Sequence, residues 1–187
     1  MVYLRSLFTT FCEHFNGKLS WSKMKGDPWT EAILKFFESE AQKEQARPER
    51  EYMSIDLVWW NQYTQMVFAL EHESSHKDTN KFLDEEVSHL LDIRAANKVG
   101  IFYPAVGDED ILVKNIKERL YYRALGRRIV GETYLFMLGF PTKRQRKPAI
   151  KFKAYLLDDA GRQTDTKELV ILQTEGQMIR GKDAVAL

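Results

Sequence analysis

Three acidic residues in the first half of the chain are spaced so that they could bind one metal ion. Asp56 and Glu71 stand in two apolar segments separated by a short polar stretch, and Glu73 follows Glu71 by two residues. Because side chains alternate along a strand, the two glutamates share a face, and a hairpin would bring Asp56 beside them. Like charges that converge on one face repel each other, and a divalent cation such as Mg²⁺ would neutralise them. Such a metal could activate a water and stabilise the charge of a phosphodiester during an in-line displacement.

The same segment contains a second motif with a different chemistry. His72, Glu73 and His76 match the pattern H-E-x-x-H, which on a helix binds Zn²⁺ through two histidines and uses the glutamate as a base. The pattern is similar to that of the zinc-dependent metallopeptidases. It needs a helix throughout, but residues 74–80 are rich in serine, aspartate and asparagine, which favour caps and turns. A strand, on which His72 faces away from both glutamates, is the preferred interpretation, and the zinc site is the alternative.

The elements that must position these residues follow from hydrophobic periodicity and turn signals. Spacings of three and four predict helices over 3–16, 27–45, 81–96 and 108–125. Runs of β-branched and aromatic residues predict strands over 52–60, 65–73, 98–103, 129–138, 149–157 and 168–173. The charged stretch 43–51, which contains Pro48, is predicted to be a surface connection. This order of elements indicates an α/β fold with a mixed central β-sheet flanked by α-helices.

On these elements the acidic residues resemble a known family. Asp56, fourteen intervening residues, and then Glu71-His72-Glu73 on a hydrophobic strand before a helix and a strand resemble the core of the PD-(D/E)XK nuclease superfamily, over roughly residues 28–104. The resemblance implies a restriction-endonuclease-like fold and DNA hydrolysis that depends on Mg²⁺, with Mn²⁺ as a substitute. It also implies that Asp56 and Glu71 bind the metal. The third position of the family motif is usually lysine; here it is Glu73, as in a minority of restriction endonucleases.

Members of this family often add a glutamate from the first helix, and helical spacing selects Glu40. It follows Ile33 by seven residues and so stays on the apolar stripe, whereas Glu38 falls off that stripe and is expected to be solvated. Lys81, at the start of the next helix, could stand in for the missing lysine. The predicted catalytic residues are therefore Asp56, Glu71, Glu73 and Glu40.

Basic residues concentrate in the second half of the chain. Residues 1–94 hold 11 Lys and Arg against 16 Asp and Glu, whereas residues 95–187 hold 17 against 11. A basic surface beside an acidic metal site suits a phosphate backbone, so DNA is the predicted partner and RNA stays open. The predicted nucleic-acid contacts are Lys143, Arg144, Arg146, Lys147, Arg127 and Arg128. A nuclease of this size that cuts both strands would act as a homodimer, by analogy with its relatives.

Length and composition exclude several classes of protein. The 187 residues are 44% hydrophobic and 29% charged, which predicts one globular domain over 1–187, with the nuclease-like core at about 28–104 and a basic C-terminal extension at about 105–187. No apolar run approaches the roughly 18 residues of a membrane span. One cysteine, Cys12, and no signal-peptide cleavage site predict a cytoplasmic protein. No phosphate-binding or dinucleotide-binding glycine motif occurs. A degenerate scaffold that binds nucleic acid or protein without cleavage is the remaining alternative.

Overall fold

A seven-stranded sheet organises the part of the chain that the computed structural model describes, which is residues 4–18, 27–73, 79–105, 107–126, 131–144 and 147–172. The strands lie in the sheet in chain order and are β1 (Arg47–Tyr52), β2 (Ile55–Trp60), β3 (Met66–His72), β4 (Asn97–Phe102), β5 (Thr133–Arg144), β6 (Lys147–Asp158) and β7 (Gln163–Leu172). The helices are α1 (Leu4–Phe15), α2 (Asp27–Lys43), α3 (Thr79–Phe82), α4 (Ser88–Asp92) and α5 (Glu109–Gly126). A π-helical turn, Leu83–Val87, joins α3 to α4.

The sheet is mixed, and its strand directions follow from its connections. Strands β1 to β3 form an antiparallel meander, β3 to β5 are parallel, and β5 to β7 are antiparallel again. Parallel neighbours need a crossover, and helical segments supply both: residues 79–92 connect β3 to β4, and α5 connects β4 to β5. The predicted α/β class, with a mixed sheet flanked by helices, is confirmed.

Helices cover both faces of the sheet and bury two apolar layers. The amphipathic helices α1 and α2 pack on one face, where Phe11, Phe37 and Trp59 are fully buried. Residues 79–92 and α5 cover the other face, where Val87 and Leu112 are fully buried. Burial of each large apolar side chain contributes about 1.5–3 kcal/mol, so these layers hold the helices against the strands.

The strand β1 occupies part of the segment that the sequence predicted to be a surface connection, and that prediction was wrong. The segment is charged because β1 is an edge strand with one side unpaired, and edge strands are the places in a sheet where proline is tolerated. Arg50 attaches β1 to α2 through ion pairs of 2.6 Å with both Glu31 and Glu38. Glu38 is therefore held by this arginine and not simply solvated as expected.

Three further elements depart from their predicted bounds. The helix predicted over 81–96 contains the π-helical turn and ends at Asp92. Strands β5 and β6 extend into the basic segment between the strands predicted over 129–138 and 149–157, and they form a hairpin, the basic hairpin, whose last pair is Arg144 with Lys147. The short strand predicted at 168–173 is the ten-residue edge strand β7. Among the described residues, no helix has the length and apolar character that a bilayer crossing requires.

Candidate metal and carboxylate site

Asp56 and Glu71 lie opposite each other on neighbouring antiparallel strands. The pairing of Leu57 with Leu70 and of Val58 with Ala69 continues by one step to this pair. Both carboxyl groups therefore lie on the same sheet face, and they hydrogen-bond to each other. The hairpin predicted from the sequence thus brings these two candidate ligands together at the end of β3.

Burial controls the electrostatics of this pair. Desolvation raises the pKa of Glu71 to about 10, and repulsion from Asp56 and Glu86 acts in the same direction. The pKa of Asp56 is also raised by burial, but the backbone N–H of His72, which donates to Asp56 Oδ2 at 2.7 Å, opposes the rise. The hydrogen bond between the two carboxyl groups raises the pKa of Glu71 and lowers that of Asp56, so Glu71 holds the proton.

Two residues of the crossover segment, residues 79–92 between β3 and β4, lie close to the Glu71 carboxyl group. One ligand atom each from Glu71, Glu86 and His89 lie within 4.8 Å of one another, and His89 Nδ1 is 3.4 Å from Glu71 Oε1. Glu86 and His89 are three residues apart, so they share one side of the helical segment. Sequence analysis selected neither residue; it predicted the strand that carries Glu71, but not that this helical segment would pack against it.

A glycine on the neighbouring strand allows the aromatic side chains beside Glu71 to pack closely. Gly100 of β4 pairs in register with Glu71. A Cβ atom added there would lie 2.9 Å from both the Phe102 and the Phe136 rings. Any larger residue would push these rings aside, so the glycine maintains the packing next to the buried carboxyl group.

Glu73 lies just beyond the end of β3, close to the pair. Its backbone N–H donates to Ile101 O at 3.1 Å, which extends the parallel pairing with β4 by one bond. The side chain is half-buried, and its charge contributes to the raised pKa of Asp56. Glu73 is thus placed where it could act on a group bound by Asp56.

The structure places Glu40 away from these carboxylates. Helix α2 approaches the end of β3 at Trp29, whose ring centroid is 6.2 Å from that of His72. Glu40 is eleven residues further along α2, which corresponds to roughly 16 Å of helix axis. Its carboxylate pairs with Lys43 at 2.5 Å. The heptad argument identified the stripe of α2 correctly, but α2 packs on the sheet face opposite Glu71, so that stripe does not reach the carboxylates.

The zinc motif does not form a helix at its first residues. His72 is the last residue of β3, and its buried ring packs between Trp29 and Tyr103 on the sheet face opposite Glu71. Desolvation lowers its pKa to about 3, so the ring stays neutral. His76 and the rest of the motif after Glu73 lie outside the described residues.

A buried lysine on β4 belongs to a separate network. Lys98 forms an ion pair with Glu132 at 2.9 Å, and Arg123 bonds the same carboxylate at 3.0 Å. Burial lowers the pKa of Lys98 to about 8, against the stabilising charge of Glu132. Its ammonium group also lies 3.3 Å from Tyr134 Oη. Lys98 is committed to these partners, and the side chain of Lys81 lies outside the described atoms.

The basic hairpin projects from the end of the sheet at which β3 stops, which is also the end that carries the carboxylates. The last residue of β4, Phe102, pairs with Leu138, and β5 continues for six more residues, about 20 Å, in the direction in which β3 ends. Lys143 is exposed near the tip of this hairpin. The backbones of Arg144 and Lys147 are described but their side chains are not, and Arg146, Arg127 and Arg128 lie outside the described residues.

Comparisons with known proteins identify no family for this chain. No model of a known protein family matches it, and no curated protein matches it. Among solved structures it is similar to the central domain of yeast acetyl-CoA carboxylase, with 9% sequence identity over 75% of this chain and a TM-score of 0.37. The chain spans about 25% of the length of that protein chain. A TM-score this low supports no argument about fold or function.

Proposed function

We propose that this protein is a metal-dependent nuclease that hydrolyses DNA phosphodiester bonds, with a restriction-endonuclease-like core. The observation that carries the proposal is the direct opposition of Asp56 and Glu71 on β2 and β3, with Glu71 almost fully buried. Two carboxyl groups in contact away from water are costly, and a divalent cation that replaces their shared proton would relieve that cost.

The order of elements supports the same proposal. Helix α2 precedes the meander β1–β2–β3, and a helical crossover leads to β4, which is parallel to β3. The resemblance to the PD-(D/E)XK superfamily implies an acidic metal site on the second and third strands of such a core, which is where Asp56 and Glu71 lie. The edge strand β1 supplies the initial strand that the sequence pattern did not indicate.

The chemistry of Asp56 and Glu71 suits Mg²⁺. Asp56 and Glu71 would hold it through carboxylate oxygens, the ligands that Mg²⁺ prefers, with waters and substrate phosphate completing the shell. When bound, the ion would supply charge stabilisation and a more acidic water. Glu73, half-buried beside Asp56, would accept a proton from the attacking water and orient it.

The basic hairpin would hold the substrate. It extends beyond the end of the sheet at which β3 stops, so DNA bound along it would pass over Asp56 and Glu71. Lys143 at its tip is exposed and available for a phosphate contact. Contacts of this kind position a duplex without reading its sequence, and RNA backbones could bind in the same way.

One observation favours a second candidate, a scaffold that binds nucleic acid or protein without cutting. Glu73 replaces the usual lysine, and the buried Lys98 is engaged by Glu132. A nuclease of this kind would then have to stabilise the developing charge on phosphate through the metal and the hairpin alone. The two candidates make opposite predictions about cleavage but the same prediction about DNA binding.

Cleavage assays separate the two candidates. Supercoiled, linear and single-stranded DNA are incubated with purified protein and Mg²⁺ or Mn²⁺, for the wild type, Asp56→Asn and the control Asp110→Asn, which changes an exposed aspartate of α5. We expect metal-dependent cleavage that falls at least 100-fold in Asp56→Asn and is unchanged in the control. DNA binding without cleavage would establish the scaffold, and cleavage indifferent to Asp56 would contradict the proposed site.

A further inference from the structure

One carboxyl oxygen of Glu71, Oε1, takes no part in the contact with Asp56. Glu71 Oε1 has no hydrogen-bond partner within the described part of the chain. The hydrogen bond with Asp56 therefore involves only the other carboxyl oxygen. Oε1 points instead toward the crossover segment, where it lies 3.4 Å from His89 Nδ1. The Glu71 side chain is only 3% exposed, so water does not readily satisfy this oxygen.

A buried oxygen without a partner needs an explanation in a well-packed protein. Leaving such a group unsatisfied costs about 1–3 kcal/mol, and native structures contain few of them. Here the oxygen faces a carboxylate and an imidazole nitrogen that could join it around one ion, since the ligand atoms of Glu71, Glu86 and His89 lie within 4.8 Å of each other. The unpaired Glu71 Oε1 and the group of three ligand atoms thus both indicate a bound metal ion at this position.

The helical segment that carries Glu86 and His89 is anchored at its π-helical turn. A π-turn leaves backbone groups without their usual helical partners, and such turns often occur at functional sites. Arg119 of α5 donates to Leu83 O at 2.9 Å, and the Ser88 hydroxyl donates to the same carbonyl at 3.1 Å. Val87, fully buried, fixes the segment against the sheet between the two candidate ligands. These contacts hold the segment in the position in which Glu86 and His89 face Glu71 of β3.

We propose that Glu71, Glu86 and His89 bind one divalent transition-metal ion through two carboxylate oxygens and one imidazole nitrogen. Imidazole suits ions such as Zn²⁺ and Ni²⁺, for which Co²⁺ is a spectroscopic substitute, whereas Mg²⁺, Ca²⁺ and Mn²⁺ prefer oxygen ligands. His89 is 43% exposed, so the ion would keep an open side for water or a substrate. This site shares Glu71 with the proposed nuclease site, but it requires neither Asp56 nor DNA cleavage.

Binding of Co²⁺ to the metal-stripped protein tests this site directly, because the visible spectrum of Co²⁺ reports its ligands and calorimetry gives its affinity. We expect His89→Ala and Glu86→Gln each to weaken Co²⁺ binding at least 30-fold. The matched controls are His14→Ala on α1 and Glu85→Gln, which removes the exposed acidic neighbour of Glu86. Both controls should bind Co²⁺ as the wild type does.

The outcomes separate this inference from the nuclease proposal. Asp56→Asn should lose DNA cleavage but keep a Co²⁺ affinity within about threefold of the wild type, since Asp56 is not one of the three ligands. Co²⁺ affinity that is unchanged in His89→Ala, or a wild type that binds no Co²⁺, would overturn the transition-metal site and leave the nuclease assay unaffected. A wild type that binds Co²⁺ but cleaves no DNA with Mg²⁺ or Mn²⁺ would refute only the nuclease proposal.

Discussion

Replacing Glu71 with glutamine should remove a large part of the pH dependence of stability near neutrality. Burial raises the pKa of Glu71 from an ordinary 4.5 to about 10. Between these values the folded protein keeps a proton that the unfolded chain releases, so the stability of the wild type falls as pH rises. One such group changes the free energy of unfolding by about 1.4 kcal/mol per pH unit. At pH 7 the accumulated cost is about 3 kcal/mol.

The best window for this measurement lies between pH 6.5 and 8. Below pH 6.5, His72 makes the stability rise with pH, because burial lowers its pKa from the ordinary value of 6.5 to about 3. Above the window, Lys98, whose pKa burial lowers to about 8, makes stability rise with pH. Within the window the Glu71 contribution is about 2 kcal/mol, which corresponds to a change in Tm of roughly 4–8 °C for a chain of this length.

Thermal unfolding of the metal-free protein in EDTA, at several pH values across this window, measures the effect. Wild-type Tm should fall with rising pH, Glu71→Gln should be nearly flat, and the exposed control Glu85→Gln should follow the wild type. Parallel slopes for the wild type and Glu71→Gln would show that Glu71 is already ionised in the folded protein, and the burial argument would be wrong.

Three further outcomes follow from single contacts. Gly100→Ala should destabilise the protein by about 1–3 kcal/mol because its Cβ would press on two buried phenylalanine rings, whereas Gly126→Ala, with open space around it, should not; urea unfolding compares them. Lys98→Met should cost about 3 kcal/mol because Glu132 keeps its charge but loses one of its two cationic partners, and adding Glu132→Gln, which removes that charge, should recover part of that loss in the same assay. If the hairpin binds DNA, Lys143→Ala should reduce the slope of log affinity against log salt by about one, measured by fluorescence anisotropy.

The sequence predicted the local elements of this protein because their signals are local. The apolar stripe of α1 and the β-branched run of β2 depend only on residues a few positions apart. The pairing of Asp56 with Glu71 was also predictable, because one short hairpin sets the register between β2 and β3. The edge strand β1 escaped prediction, since edge strands carry the charges and proline that typify loops.

Contacts between distant elements were decided only by the tertiary structure. Glu40 and His89 both lie on helices whose apolar faces the sequence indicates, but their distance from Glu71 depends on which face of the sheet each helix covers and on where along the sheet it packs. That position follows from the shapes of two buried layers and from the π-helical turn, which periodicity does not encode. Sequence therefore determined the pair of strand carboxylates, whereas packing determined that Glu86 and His89 would join Glu71 and that Glu40 would not.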